Sequence, residues 1–178
     1  WLSTIGVDQL LAKVLKISVE SMYGAFLNTV DYANINLKPS GMGVSPIDGR
    51  PMYAGENGDS LVAREFTQVQ LLRSRNEGYQ YSVSATLNLA DNNPVVPGLA
   101  STLTYTYGHT YDLNSGQAAT ALSQWNGTDA IDPNNATLGR SNFDVPHRVV
   151  FNASYRHVWA PGYTTTVTLF YAGSSGRP

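Results

Sequence analysis

The residues of this chain that are capable of chemistry are few and widely spaced. The three histidines, His109, His147 and His157, do not have the spacing of a metal-ligand motif. The chain has no cysteine, which excludes disulfides and thiolate metal ligands. No serine lies in a nucleophile elbow with a placed histidine and aspartate, and no glycine-rich phosphate loop follows a strand. The sequence therefore predicts no catalytic residues, no cofactor and no metal site.

A second set of polar residues lies in a turn-rich segment at 113–147. Four residues carry oxygen atoms suited to calcium, but their spacing matches no calcium loop and turn chemistry explains them better: Asp129, Asp132, Asn134 and Asn135. Trp125, in the same segment, has a ring that is able to stack on a sugar or anchor a ligand, although packing on its own loop is the commoner role. We therefore name Trp125, Asp129 and Asp132 as candidate substrate contacts.

The composition favours a β-rich membrane wall over a soluble enzyme. The chain has 178 residues, which corresponds to one domain or a piece of one. Charged residues make up 13%, about half the roughly 25% usual in soluble domains. The net charge of −2 argues against nucleic-acid binding. No apolar run reaches the roughly 20 residues that a membrane-spanning helix needs, so any membrane crossing requires a closed β-barrel.

The stretch from Tyr79 to Leu89 has the clearest pattern in the chain. Its odd-numbered residues are aromatic or aliphatic with one alanine, and its even-numbered residues are Gln, Ser, Thr and Asn. A period of two predicts a strand with one apolar and one polar face. Tyr79 and Tyr81 stand at one end with aliphatic residues beyond them, the order expected of a strand that crosses a bilayer with its aromatics at the interface.

Similar alternation elsewhere predicts an all-β, antiparallel, up-and-down meander of six strands. The segment at 13–23 also fits a short helix, since short apolar runs are ambiguous. In the long strand at 66–89, the charged residues Arg73, Arg75 and Glu77 are expected to project beyond a membrane. The predicted strands lie near 13–23, 28–37, 66–89, 99–112, 148–159 and 163–173.

The connections between these strands alternate in length. They run short, long, medium, long, short, with the long loops at 38–65 and 113–147. Outer-membrane barrels have short periplasmic turns and long outer loops, so the alternation favours such a barrel. A soluble β-sandwich remains an alternative, but it tends to carry charges on its exposed face.

The alternation of apolar and polar residues in the strands predicts which side chains face lipid. These side chains occupy one face of the predicted sheet, and the Ser, Thr and Asn residues between them face a wet interior. The predicted lipid-facing residues are Tyr79, Tyr81, Val83, Leu87, Leu89, Leu103, Tyr105, Phe151, Tyr155, Val167 and Leu169.

Four segments together resemble a known family. They are GVDQLLAKVLKISVESMYGAFLNTVDYANINL, FTQVQLLRSRNEGYQYSVSATL, LTYTYGHTYDLNSG and LGRSNFDVPHRVVFNASYRHVWAPGYTTTVTLFYAGSSGRP. They are similar to the C-terminal part of the barrel of TonB-dependent outer-membrane receptors, in the Oar-like branch with a carboxypeptidase-regulatory-like domain. The resemblance implies a strand at 13–23 and a parent barrel of about 22 strands with an N-terminal plug.

The resemblance also implies a function and a location. We expect residues 1–178 to form a single partial barrel domain, a fragment of an importer for a scarce or bulky nutrient in a Gram-negative outer membrane. Its expected partners are outer-membrane lipid, the rest of the barrel with its plug, the TonB complex acting through the plug, and a small-molecule, glycan or peptide substrate. The alternatives are a soluble or surface-attached β-rich adhesion module and a passive porin.

Overall fold

The regular secondary structure of the chain is almost entirely antiparallel β-sheet. The computed structural model describes residues 1–38, 43–53, 60–116, 118–128 and 130–178. Within these residues, helical structure is limited to a six-residue helix, α1 (Ala121–Asn126), and a 3₁₀ turn at Pro133–Asn135. The predicted all-β, antiparallel class is therefore confirmed. Neither of these helical segments has the length and apolarity to cross a membrane.

The described residues form two compact units. The first, here called the sheet unit, comprises Trp1–Ala25, Tyr79–Thr110 and Phe143–Pro178, and the second, the loop unit, comprises Phe26–Gly78 and Tyr111–Asn142. The strands, in chain order, are β1 (Leu2–Leu11), β2 (Leu15–Ala25), β3 (Thr29–Asn34), β4 (Gln70–Arg75), β5 (Tyr79–Leu89), β6 (Leu99–Asp112), β7 (Gly139–Arg140), β8 (His147–Ala160) and β9 (Tyr163–Ser174).

The sheet unit is a single antiparallel meander. Its strands follow the order β1-β2-β5-β6-β8-β9. Each of these six strands therefore pairs with the ones that come directly before and after it among the six in chain order. Because successive strands run in opposite directions, the short connections at 12–14, 90–98 and 161–162 leave from one end of the sheet. The two long connections leave from the other end.

The connection at 90–98 is shaped by one buried amide. Asn93 Nδ2 donates hydrogen bonds to the carbonyl oxygens of Ala90, Val96 and Leu99, and Asn93 Oδ1 accepts from the backbone N–H of Val96. Gly98 then turns the chain into β6 with φ of +88°, where a Cβ would collide with the carbonyl oxygen of Arg156. A side chain at this position is excluded both by the backbone conformation and by contact.

The two faces of the sheet differ in chemistry. Antiparallel partners place their side chains on the same face, and the register sets Ile17 opposite Leu87 and Leu103 opposite Phe151. On the other face, Thr86 and Thr104 hydroxyls lie 3.0 Å apart and Asn88 Nδ2 donates to Thr102 Oγ1 at 2.9 Å. All eleven residues named above as lipid-facing lie on the first face, here called the apolar face, and none of them is buried.

The sheet unit has no hydrophobic core of its own among its described residues. Its buried residues are Gly24, Asn93 and Asp144, none of them a large apolar side chain. The buried apolar residues, Ala33, Leu113 and Ala136, all belong to the loop unit. A sheet normally buries its apolar face against another layer. The apolar face of this sheet therefore needs an apolar partner from outside the described residues.

The strand assignments at 2–11 and at 28–37 differ from the sequence prediction. Residues 2–11 form an edge strand that was not predicted, because Leu2 and Leu10 fall on the polar face and obscure the alternation. The segment at 13–23, which also fitted a helix, is strand β2. The segment at 28–37 was predicted as a wall strand, but its strand β3 pairs with β4 in a separate two-stranded sheet.

The long strand predicted at 66–89 is two strands. β4 ends at Arg75 and β5 begins at Tyr79, and Gly78 between them has φ of +115°. A Cβ at Gly78 would lie 2.7 Å from the Phe26 ring, so the break requires glycine there. The charged residues Arg73, Arg75 and Glu77 consequently belong to the loop unit and not to an extension of the wall.

Candidate ligand-binding cleft

The loop unit is built around a buried carboxylate. Asp31, on β3, is 2% exposed. Its Oδ2 atom lies 2.6 Å from Arg73 Nε and 3.4 Å from Arg75 Nη1, both on β4. Its Oδ1 atom accepts a hydrogen bond from the backbone N–H of Tyr32. Two cations and a backbone donor thus compensate a charge that would be costly to bury alone.

The same two arginines bind a distant part of the chain. Arg73 Nη2 donates to the carbonyl oxygen of Asn134, and Arg75 Nη1 donates to that of Ala136, each at 2.8 Å. Guanidinium groups have donors enough to bridge a carboxylate and backbone carbonyls at once. The β3–β4 hairpin therefore holds the segment around the 3₁₀ turn in place.

Asn134 joins three segments through its amide. Its Oδ1 atom accepts from the backbone N–H of Asn34 at 2.6 Å and from Trp125 Nε1 at 2.9 Å. Its Nδ2 atom donates to the Asn34 carbonyl oxygen at 3.1 Å, and its backbone N–H donates to Asp132 Oδ1 at 2.9 Å. Asp132 is the residue that caps the 3₁₀ turn.

A cleft of about 610 Å³ opens beside this network. The volume falls within the range of roughly 300–1,000 Å³ typical of small-molecule sites. Its apolar lining comes mainly from β3, the residues that follow it and the segment at 43–52, and a few polar groups converge on it. The lining residues are Ala33, Asn34, Ile35, Leu37, Gly43, Val44, Pro51, Met52, Tyr53, Asp132 and Asn134.

The polar end of the cleft is a phenol–carboxylate pair. The Tyr53 hydroxyl donates to Asp132 Oδ1 at 2.7 Å. Burial, followed by this hydrogen bond and the negative charge of Asp132, raises the pKa of Tyr53 to about 12. Tyr53 therefore remains a neutral donor at physiological pH and fixes the orientation of the carboxylate.

The raised pKa of Tyr53 predicts that the stability of the loop unit depends on pH. Because the pKa of Tyr53 is higher in the folded state than its ordinary value of 10.0, the hydrogen bond stabilises the fold fully below about pH 10 and progressively less towards pH 12. We expect the stability difference between the wild type and Tyr53→Phe to shrink across this interval in urea unfolding. A constant difference from pH 8 to pH 12 would show that the phenol does not titrate with folding.

The structure places two of the three predicted substrate contacts, Trp125 and Asp132, at or beside the cleft. Asp132 lines the cleft, and the half-buried Trp125 bonds to Asn134, which also lines it. Asp129 lies outside the described residues. Tyr53 was missed, because it is 79 residues from Asp132 and no local pattern marks it. The described residues hold no group of three or more His, Cys, Asp or Glu side chains placed to bind a metal ion.

A second polar cluster belongs to the sheet unit. His109 Nδ1 lies 2.8 Å from Oδ2 of the buried Asp144, whose Oδ1 atom accepts from the Thr110 N–H. The Tyr107 hydroxyl lies 3.2 Å from His109 Nε2. These bonds fix the residues before β8 against β6, so the cluster has a clear role in positioning the strand.

Comparisons of this chain with protein-family models, with curated proteins and with solved structures return no match.

Proposed function

We propose that the sheet unit is part of the wall of a TonB-dependent importer in a bacterial outer membrane and that the loop unit belongs to its outer, substrate-capturing loops. The observation that carries the proposal is the apolar face of the sheet. Val83 and Leu87 are 44% and 42% exposed in the middle of β5, and no described residue of the unit provides a hydrophobic core. Contiguous exposed apolar surface of this kind marks a membrane or protein contact.

The distribution of aromatic residues supports lipid as that contact. Trp159 and Tyr163 flank the short connection at 161–162 and are 71% and 73% exposed. At the opposite end, the rings of Trp1, Tyr23 and Tyr79 form a row with centroid distances of 6.1 and 6.4 Å. On β2 and β5, aliphatic residues such as Val19, Val83 and Leu87 lie between these two ends, as in the wall between the aromatic girdles of outer-membrane barrels. On β8 and β9 the aromatic residues Phe151 and Tyr171 also lie in mid-strand.

The size and connections of the sheet support a larger barrel. Strand β5 has 11 residues, and about 9–11 tilted residues cross a bilayer. Both edges, β1 and β9, lack a described partner strand, and barrels of this kind have eight or more strands. In the proposal, other strands of the same protein close the wall, and the resemblance noted above sets the total at about 22.

In this proposal each surface has a role. The apolar face contacts lipid, and the Ser, Thr and Asn residues of the other face line a wet lumen. The loop unit captures a nutrient, which passes along the lumen when an N-terminal plug moves under force relayed by the TonB complex.

Fractionation of cells producing the full protein tests this proposal. We expect the protein in the outer-membrane fraction and expect its electrophoretic migration to change on heating, as for a barrel that resists detergent until boiled. A soluble, monomeric and protease-resistant product would instead support the adhesion module. Outer-membrane localisation combined with uptake that is independent of TonB would support the passive porin.

A further inference from the structure

One aromatic ring lies on the polar face of the sheet unit. Phe170, on β9, pairs with Asn152 of β8 and is 64% exposed. Directly opposite side chains of an antiparallel pair lie on the same face, so the ring stands among hydroxyl and amide groups. The other polar-face positions of β5, β6, β8 and β9 hold no aromatic residue. A wet lumen by itself gives this ring no role.

A side-chain amide without a partner lies directly opposite the ring. Asn152 is exposed, and its side chain forms no hydrogen bond with the described residues. Next to Phe170 on the same face of β9, Thr168 Oγ1 donates to Ser154 Oγ at 3.4 Å. Asn152 also lines a hollow of about 260 Å³, whose polar lining residues are Asn88, Asp91, Ser101, Thr102, Asn152 and Ser154. The ring therefore adjoins a concave surface of hydrogen-bonding groups.

This part of the polar face carries little charge. The polar-face positions of β5 and β9 hold no Asp, Glu, Lys or Arg. Asp91, at the end of the hollow, is paired with Arg156 at 3.4 Å. Arg148 and Arg156 lie four residues to either side of Asn152 on β8, about 13 Å away along the strand. A charged ligand therefore finds no complementary charge beside the ring.

We propose that the polar face around Phe170 and Asn152 binds neutral oligosaccharides. A sugar ring presents C–H groups on one face, which pack on the electron-rich face of a phenyl ring. Its hydroxyls both donate and accept, as do the amide of Asn152 and the hydroxyls of Ser154 and Thr168. The inference rests on the proposed function, because it names the substrate class that the lumen of the importer conducts.

The polar face offers the same chemistry to further sugar units. Thr86 and Thr104 hydroxyls lie 3.0 Å apart, and Asn88 Nδ2 donates to Thr102 Oγ1 at 2.9 Å. These pairs on β5 and β6 are uncharged and able to exchange hydrogen bonds with a passing chain. Several weak sites of one kind suit conduction, since a substrate must bind well enough to enter and loosely enough to leave.

Calorimetric titration of the full protein in detergent tests the site. The probes are four neutral hexasaccharides, made of α-linked glucose, β-linked glucose, mannose and xylose, and hexagalacturonate as an anionic chain of the same length. We expect at least one neutral probe to bind, and hexagalacturonate to bind about tenfold more weakly or not at all. Binding of none of the neutral probes, or equal binding of the anionic one, would overturn the inference.

Substitutions on β9 assign the binding to the ring. Phe170→Ala should weaken binding of the neutral probe about tenfold, whereas Phe170→Tyr keeps the ring face and should retain the affinity. Tyr171→Ala is the matched control, because Tyr171 is the next residue, is 57% exposed and lies on the apolar face. Unchanged affinity in Phe170→Ala would mean that the ring packs on another part of the protein and that the inference is wrong.

A second position keeps the test decisive if Phe170→Ala does not fold. Asn152→Ala removes the exposed amide and leaves the ring in place, and we expect it to weaken binding of the neutral probe as well. The heat-dependent shift in migration shows which variants are folded. A folded Asn152→Ala variant with wild-type affinity would count against the site.

The outcome is separable from the proposed function. Failure of every neutral probe to bind a protein that is heat-modifiable and located in the outer membrane would remove the site and keep the importer. Binding by a soluble protein that is lost in Phe170→Ala would keep the site and remove the importer.

Discussion

Replacement of Asp31 by alanine is expected to destabilise the loop unit by about 3–5 kcal/mol. The carboxylate is buried, and its loss leaves Arg73 and Arg75 side by side without the anion that they share. Their repulsion then weakens the bonds to Asn134 and Ala136, which anchor the 3₁₀ turn. The cleft should lose its shape with the turn.

Hydrogen exchange of backbone amides provides the measurement. In Asp31→Ala, the amides of β3, β4 and the 3₁₀ turn should lose protection, whereas those in the centre of β5 should keep it. Asp48→Ala is the control, because Asp48 is also bonded to an arginine but both side chains are exposed. Exposed pairs contribute only about 0–1 kcal/mol. Equal loss of protection in both variants would show that burial of Asp31 is not what holds the unit together.

Replacement of Leu87 by arginine is expected to hinder assembly of the wall in a bilayer by about 2–4 kcal/mol, the cost of a cation near the membrane midplane. Leu87 lies opposite Ile17 on the apolar face. Ser84→Arg is the matched control on the same strand, since Ser84 lies opposite Glu20 on the polar face and the new cation gains a partner there.

The folded fraction in lipid vesicles, measured from the heat-dependent shift in migration, distinguishes the two faces. We expect a large loss of the folded form for Leu87→Arg and for Val83→Arg, and a small loss for Ser84→Arg. In a soluble protein, side chains as exposed as Val83 and Leu87 would accept arginine with little effect. Equal losses in all three variants would mean that the apolar face does not contact lipid.

The strands of the wall could be predicted where alternation is strict. β5 occupies Tyr79–Leu89, the stretch in which odd and even positions separate cleanly by polarity. Alternation cannot tell which strand a segment pairs with, so β3 was placed in the wall although it pairs with β4. In β1, Leu2 and Leu10 fall on the polar face, so the alternation is obscured and this edge strand was not predicted.

The candidate site was predictable only in part. Asp132 and Trp125 were chosen for their chemical types within a turn-rich segment, and both contact the network around the cleft. Tyr53 and Asn34 reach that network from segments 79 and 100 residues away from their partners. Contacts between residues so far apart in the sequence depend on the whole fold of the loop unit. They cannot be predicted from local patterns in a single sequence.

The bonds from Arg73 and Arg75 to Asn134 and Ala136 also constrain how the two long connections change during evolution. A substitution that shortens or reshapes the segment around residue 134 removes acceptors that two arginines about 60 residues earlier require. The connections are therefore expected to diverge together. An engineer who exchanges one of them for that of a related protein should exchange both, because a chimera with a single foreign loop leaves the two guanidinium groups without their carbonyl partners.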